Sequence, residues 1–338
     1  MPSRLPRINL TSLRPSAAGR GPAPTPLAAL GQVLQALDAL RNGPALVLLL
    51  ATFAAAGLLL AMAEASLARE ALRWGQIEAG AALTVAFYGS NAAGLLLMDE
   101  ARGRPPRDAL DALRDALFGA HRLLVAFAVL LAGYALLAGA IVGLFWLSRG
   151  AVFGPVLGPL LFGLLVPLGV IAIGLMLLSM LFVVVPLAAP AVWSGATIAE
   201  VVRTLLRLIG SRLLIVALLM AAVALLAAAV GALASFVVMA GGRAVAALGI
   251  AVVGVELPAQ QLMAGLFGYG LRSLGAVGAP VTASAHGAAA LVGGGVVFAL
   301  ALVLPGLVYL RGACAVYLAM TEASVAAAEN RAWTSTSR

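Results

Sequence analysis

Few side chains in this sequence are equipped for chemistry, and their spacing leaves each of them alone. His121 is followed by Arg122, with no second histidine or carboxylate at a ligand or relay spacing, and His286, near Ser284, is equally isolated. A metal centre or proton relay needs convergent ligands or an acid–base pair, so both histidines read as interfacial residues. The single cysteine, Cys314, excludes an intrachain disulfide or a multi-cysteine metal site and reads as a small apolar packing residue. The chain has no lysine, which rules out a glycine-rich phosphate loop of the lysine-bearing kind, and no nucleophile stands at a recognised spacing from a base. These absences predict no enzyme activity, no cofactor and no metal.

What remains is a handful of polar groups within or beside long apolar runs. A charge buried in hydrocarbon costs on the order of 2.5–3.5 kcal/mol, which makes such groups the best functional pointer in a membrane protein. The centres of the runs hold no ionisable residue, which argues against a transporter driven by protons or sodium. Ser90-Asn91 is the polar pair nearest mid-membrane, and it predicts interhelical hydrogen bonding ahead of substrate contact. Arg311 follows Pro305-Gly306 at the end of the last run, where its side chain is expected to snorkel to lipid phosphates. Glu64 and Glu256 fall at run edges and read as interfacial. Gly139-x-x-x-Gly143 permits close helix approach, either within one bundle or between copies in a homo-oligomer.

The elements that must position these groups follow from composition. Of 338 residues 63% are apolar and 10% are charged, with a mean hydropathy of +1.09, and a water-soluble fold is excluded. Apolar runs at about 44–63, 80–98, 123–147, 158–187, 213–239 and 289–310 each suit a membrane-crossing helix. The expected fold is therefore all-α: a polytopic transmembrane bundle of about six spans. Pro167, Pro186 and Pro190 predict a kink in the fourth. Residues 240–288 are too apolar for an ordinary loop, and the run from Ala244 to Leu257 is short for a span, which suggests an interfacial or re-entrant segment.

Three amphipathic stretches precede the odd-numbered spans. Leu30, Val33, Leu34, Leu37 and Leu40 form one helical stripe; Leu110, Leu113 and Leu117 a second; Ile198, Val201, Val202, Leu205 and Ile209 a third. Such helices lose hydration of their polar face if they span, so all three are expected to lie along the cytoplasmic headgroups. Thr197-Ile198-Ala199-Glu200 is a capping-box signal for the start of the third. Asn42-Gly43-Pro44 separates the first from its span. Amphipathic helix, span, outer connection and span then recur over about 27–100, 107–192 and 196–320. This unit makes a membrane domain of 27–322 between a disordered cytoplasmic tail at 1–26 and a cytoplasmic C-terminal tail at 323–338.

Orientation comes from arginine, the sole basic residue type; its exclusive use fits a GC-rich bacterial coding bias. Fifteen arginines fall on one side of the alternating spans and five on the other, with Arg311 at the end of the last span. The positive-inside rule then places both termini in the cytoplasm of a bacterial inner membrane. Trp74 and Trp146 are expected at the outer interface and Trp193 at the inner one. The net charge of +8 is read by position as attraction to anionic headgroups, not to nucleic acid. Arg114, Arg122, Arg203, Arg207, Arg212 and Arg311 are the candidate headgroup contacts, and Ser90 and Asn91 the candidate intramembrane polar site.

Gly94-Leu95-Leu96-Leu97-Met98, then Asp99 to Arg107 with Arg102-Gly103-Arg104-Pro105-Pro106, leads into an Asp-Ala-Leu amphipathic stretch. Pro186-Leu187-Ala188-Ala189-Pro190-Ala191-Val192 precedes a similar one. Across about 27–320 these features resemble bacterial six-span inner-membrane proteins, including YciC-like proteins and the membrane domain attached to some glycerophosphodiester phosphodiesterases. The resemblance implies a fold and a location. The catalytic domain of that group requires paired histidines and several carboxylates in a soluble barrel, and this chain has no counterpart. The function expected is a non-enzymatic inner-membrane protein that engages anionic lipid in membrane organisation, envelope homeostasis or a membrane complex. A small-molecule or lipid transporter or channel is the alternative, motivated by the repeat and the proline-broken fourth span.

Overall fold

Hydrocarbon offers no hydrogen bonds to a bare backbone, so apolar runs of this length must satisfy their amides internally. They do so as helices in the computed structural model, which describes residues 31, 34–105, 107–253, 297 and 299–321. A 3-10 turn, Gln35–Arg41, precedes α1 (Gly43–Ala68) and α2 (Leu72–Ala101). The short α3 (Ala109–Gly119) leads into α4 (His121–Leu147) and α5 (Gly150–Ser179), which passes through a π-turn, Met180–Val184, into α6 (Val185–Trp193). The long α7 (Ile198–Leu248) ends in a second π-turn, Gly249–Val253, and α8 covers Ala299–Thr321. Six helical stretches are long and apolar enough to cross a membrane, and no strand occurs among the described residues. The protein is an all-α, multi-pass membrane bundle.

Packing is inverted relative to a soluble protein. Ala36, Ala39, Ala45, Ala92, Ala93, Ala112 and Ala126 are fully buried, whereas Leu136, Leu225 and Leu218 are more than 70% exposed. Lipid tails are as apolar as leucine, so the gain on assembly comes from close backbone approach at small residues. A Cβ at Gly89 would strike Thr52, and one at Gly94 would strike the Trp193 indole. One at Gly312 would lie 2.5 Å from Val223, while Gly231 lies beside Pro305, contacts that run α7 and α8 antiparallel. Gly139 and Gly143 behave differently: a Cβ at either meets nothing within 4 Å, so the motif is not used between helices of one copy among the described residues.

The element boundaries differ from the sequence expectation in two places. Between the third stretch and the fifth span the backbone breaks at Arg212 (φ −141°, ψ 21°), so α7 is two helical segments joined at a kink. The apolar segment from Ala244 to Val253 extends α7 instead of starting a separate element; the remainder of 240–288 lies outside the described residues, as do 1–26 and 323–338. In the fourth span the backbone stays helical through Pro167, and the irregularity is the π-turn just before Pro186. Proline has no N–H to donate and crowds the carbonyl four residues back, and a widened turn accommodates both defects.

Candidate functional site

Helix ends gather at one pole of the bundle, and the polar side chains there come from segments far apart in the sequence. Asn42 caps α1 by accepting from the Ala45 amide (3.0 Å) and reaches across to donate to the Glu100 carboxylate (2.5 Å) at the end of α2. Arg311 on α8 approaches the same carboxylate: its Nε is buried, 3.9 Å from Glu100 Oε1 and without a hydrogen bond. Arg102 donates to the Ser194 carbonyl (3.1 Å) after α6, and the Ser194 and Tyr317 hydroxyls lie 3.4 Å apart. Two turns with left-handed glycines, Gly103 (φ 65°) and Gly195 (φ 89°), release the chain from α2 and α6 and let these ends converge.

A second layer of polar contacts lies beside the first. Trp193 is 7% exposed and lies over Gly94, where its indole N–H donates to Asn91 Oδ1 (2.9 Å), while Asn91 Nδ2 donates to the Phe87 carbonyl (2.8 Å). The tryptophan expected at the inner interface thus faces inward, and Gly94 supplies the space for its ring. Asn91 is buried in this interhelical bond; Ser90 beside it is half-buried. Trp74 and Trp146, at the opposite pole, are 65% and 59% exposed. Cys314 is fully buried in the core with Tyr317 and Trp193.

The sequence-predicted arginines separate into two groups. Arg114 on α3, Arg122 at the start of α4, and Arg203 and Arg207 on α7 are exposed, Arg212 is half-buried at the break in α7, and none makes an ion pair or hydrogen bond through its side chain among the described residues. Arg311 is placed apart from them, its side chain 11% exposed inside the bundle beside Glu100. A further arginine has a different task. Arg107 grips Asp99 with two bonds (2.5 and 3.0 Å) and Asp115 with a third (2.6 Å), tying α3 to the end of α2. Hydrogen bonding to Asp99, aided by the charges of both carboxylates, holds the Arg107 guanidinium above its ordinary pKa. His121 is exposed. Glu256 and His286 lie outside the described residues, and no group of three or more metal-ligating side chains occurs among the described ones.

Two cavities stand out among the described residues, and neither is lined by Ser90, Asn91 or Arg311. One, of about 410 Å³, is an apolar groove between Phe145 of α4 and Val166, Val170 and Ile173 of α5. The other, of about 200 Å³, lies where the start of α7 meets the end of α8 and is lined by Arg207 and Arg212 with three hydroxyl residues. The sequence reading missed Asn42, Glu100, Arg102, Ser194 and Tyr317 as a group, since its members lie up to hundreds of residues apart. The signal that was present is positional for four of them: Asn42, Glu100, Arg102 and Ser194 sit at helix ends beside turn residues, whereas Tyr317 lies within α8. No family model, curated protein or solved structure matches the chain.

Proposed function

We propose that this is a non-enzymatic protein of a bacterial inner membrane whose arginine-bearing pole faces the cytoplasm and holds anionic lipid headgroups, in the service of membrane organisation, envelope homeostasis or a membrane complex. The observation that carries this reading is the surface of α3. Arg114 is exposed there together with Leu110 (74%), Leu117 (52%) and Phe118 (71%), a combination suited to a headgroup boundary and to neither water nor hydrocarbon alone. Arg122 and the exposed Arg203 and Arg207 of α7 extend the basic surface. Among the described residues Arg41, Arg102, Arg104, Arg107 and Arg212 belong to the same pole, whereas Arg69, Arg73, Arg149 and Arg243 belong to the other, which supports the proposed orientation.

The reading is tested on the full-length protein in a phosphate-free maltoside detergent, by following thermal stability as phosphatidylglycerol or phosphatidylcholine is added. Phosphatidylglycerol should stabilise more, and the difference should shrink as salt is raised. The combined substitutions Arg114→Gln, Arg122→Gln and Arg203→Gln should remove about 3 kcal/mol of the anionic preference, at about 1 kcal/mol per arginine. Equal responses to the two lipids would overturn the proposal.

A further inference from the structure

The cavity at the break in α7 has a composition that the general attraction of arginines to a membrane does not require. Thr204, Arg207, Leu208 and Ser211 share one face of α7 at helical spacing and line its wall, with Met320 and Thr321 of α8 opposite. In an uninterrupted helix Arg212 would point about 140° away from Arg207, since five residues at 3.6 per turn do not return to the same face. The non-helical dihedrals at Arg212 (φ −141°, ψ 21°) remove that constraint, and both arginines line one cavity of about 200 Å³. The break between the two segments of α7 therefore has a second consequence: it brings both arginines to the wall of one cavity.

Among the described residues no carboxylate lines this cavity, and neither Arg207 nor Arg212 has a side-chain hydrogen bond or ion pair. The Ser211 hydroxyl donates to the Arg207 carbonyl (2.7 Å), and that of Thr321 bonds the Tyr317 and Leu318 carbonyls (2.9 and 3.0 Å). The donors this lining can offer an incoming anion are thus the guanidinium groups of Arg207 and Arg212, whose fork matches phosphate oxygens, together with the Thr204 hydroxyl. Leu208 and Met320 add an apolar wall suited to the carbon side of an ester. We propose that this cavity is a discrete site for one phosphate ester group, presented either by an anionic phospholipid or by a soluble molecule. The lipid source rests on the headgroup reading above; the soluble source does not.

The test uses the full-length protein in phosphate-free maltoside detergent, titrated separately with methyl phosphate and with short-chain phosphatidylglycerol, and read as saturable binding by calorimetry. At least one probe should bind with a one-site isotherm, and Arg207→Gln and Arg212→Gln should each weaken it about 10- to 100-fold, as expected for losing a hydrogen bond to a charged group. Arg73→Gln, exposed at the opposite pole, should leave it unchanged. Arg207 is exposed, so Arg207→Gln carries the test if Arg212→Gln fails to assemble. Saturation by phosphatidylglycerol with none by methyl phosphate assigns the lipid; saturation by methyl phosphate at equal or tighter affinity assigns a soluble ester. Failure of both probes to saturate, or saturation indifferent to Arg207→Gln, overturns the site. The two proposals fail separately. A cavity indifferent to Arg207→Gln alongside an intact anionic-lipid preference lost on removing Arg114, Arg122 and Arg203 sinks only the site, and methyl phosphate binding without any lipid preference sinks only the headgroup reading.

Discussion

α3 and the first turns of α7 carry the same sequence pattern, an arginine-bearing amphipathic stretch before a long apolar run, yet they are held to the bundle by opposite means. α7 docks through its stripe: Val201 and Leu205 are fully buried and Leu208 is 3% exposed, in one core cluster with Leu187, Trp193 and Met320. α3 buries Ala112 and Ala116 against Ala92, Ala93 and Leu97 with Leu113 half-buried beside them, and turns Leu110, Leu117 and Phe118 outward. Its attachment is polar, through the Arg107 clamp on Asp99 and Asp115 and the Asp108 cap on the Ala109 amide (2.8 Å). An apolar stripe in a membrane protein therefore has two available fates. Where protein covers it, the helix is structural and its polar face is free to build a cavity; where no described residue covers it, lipid is the partner proposed above.

The largest effect expected from this contrast is in the core of the docked helix. Leu205→Ala should lower stability by about 4 kcal/mol, within the range for emptying a fully buried leucine site, measured by SDS titration or steric trapping of the reconstituted protein. A loss below about 1 kcal/mol would show that the α7 stripe is not held by the bundle. Arg107→Ala should follow at about 3 kcal/mol, the lower end for breaking a buried pair, because it strands the Asp99 carboxylate, whose side chain is 7% exposed, while Arg107 itself is 29% exposed. Hydrogen exchange should then rise in α3 and stay unchanged in the first turns of α7.

The fold was legible because hydrocarbon imposes a simple demand: enough apolar residues in a row must form a helix, and six helices long enough to cross are present, five of them over the expected runs. The sixth, Ala299–Thr321, overlaps the expected 289–310 only from residue 299 and places Arg311 within the helix instead of at its end. The capping box at Thr197 is present as read, with the Thr197 amide donating to Glu200 (2.8 Å). Periodicity marked three apolar stripes, but it could not say which face each one covers. Leu34 and Leu37 belong to the first stripe and are exposed, while Ala36 and Ala39 pack inward, because the backbone there is a 3-10 turn with a shorter repeat than the α-helix assumed. The polar node was less legible still. Tertiary packing brings Asn42 and Arg311 to Glu100, and Arg102 and Tyr317 to Ser194, across long stretches of sequence, and local spacing holds no record of that.

A moderate effect tests the layer between the two helices. Trp193→Phe keeps the ring over Gly94 but deletes the donor to Asn91, leaving a buried amide oxygen unpaired, and should cost about 1–2 kcal/mol by the same SDS or steric-trapping measurement. A neutral result would mean that Asn91 finds another partner.

The smallest expected change in fold stability is the most informative about α3. Leu117 is 52% exposed and contributes little to the protein's own packing, so Leu117→Ala should change stability in detergent by less than about 0.5 kcal/mol. If lipid is what covers this face, the same substitution should still matter in a bilayer. Removing three carbons from a buried anchor costs on the order of 0.8 kcal/mol per methylene, so hydrogen exchange along α3 should rise in phosphatidylglycerol nanodiscs even though the detergent midpoint does not move. The matching truncation Leu205→Ala should lower both. An equal and small response of α3 in the two environments would mean that water faces Leu117, and the distinction between a docked stripe and a lipid-covered one would collapse.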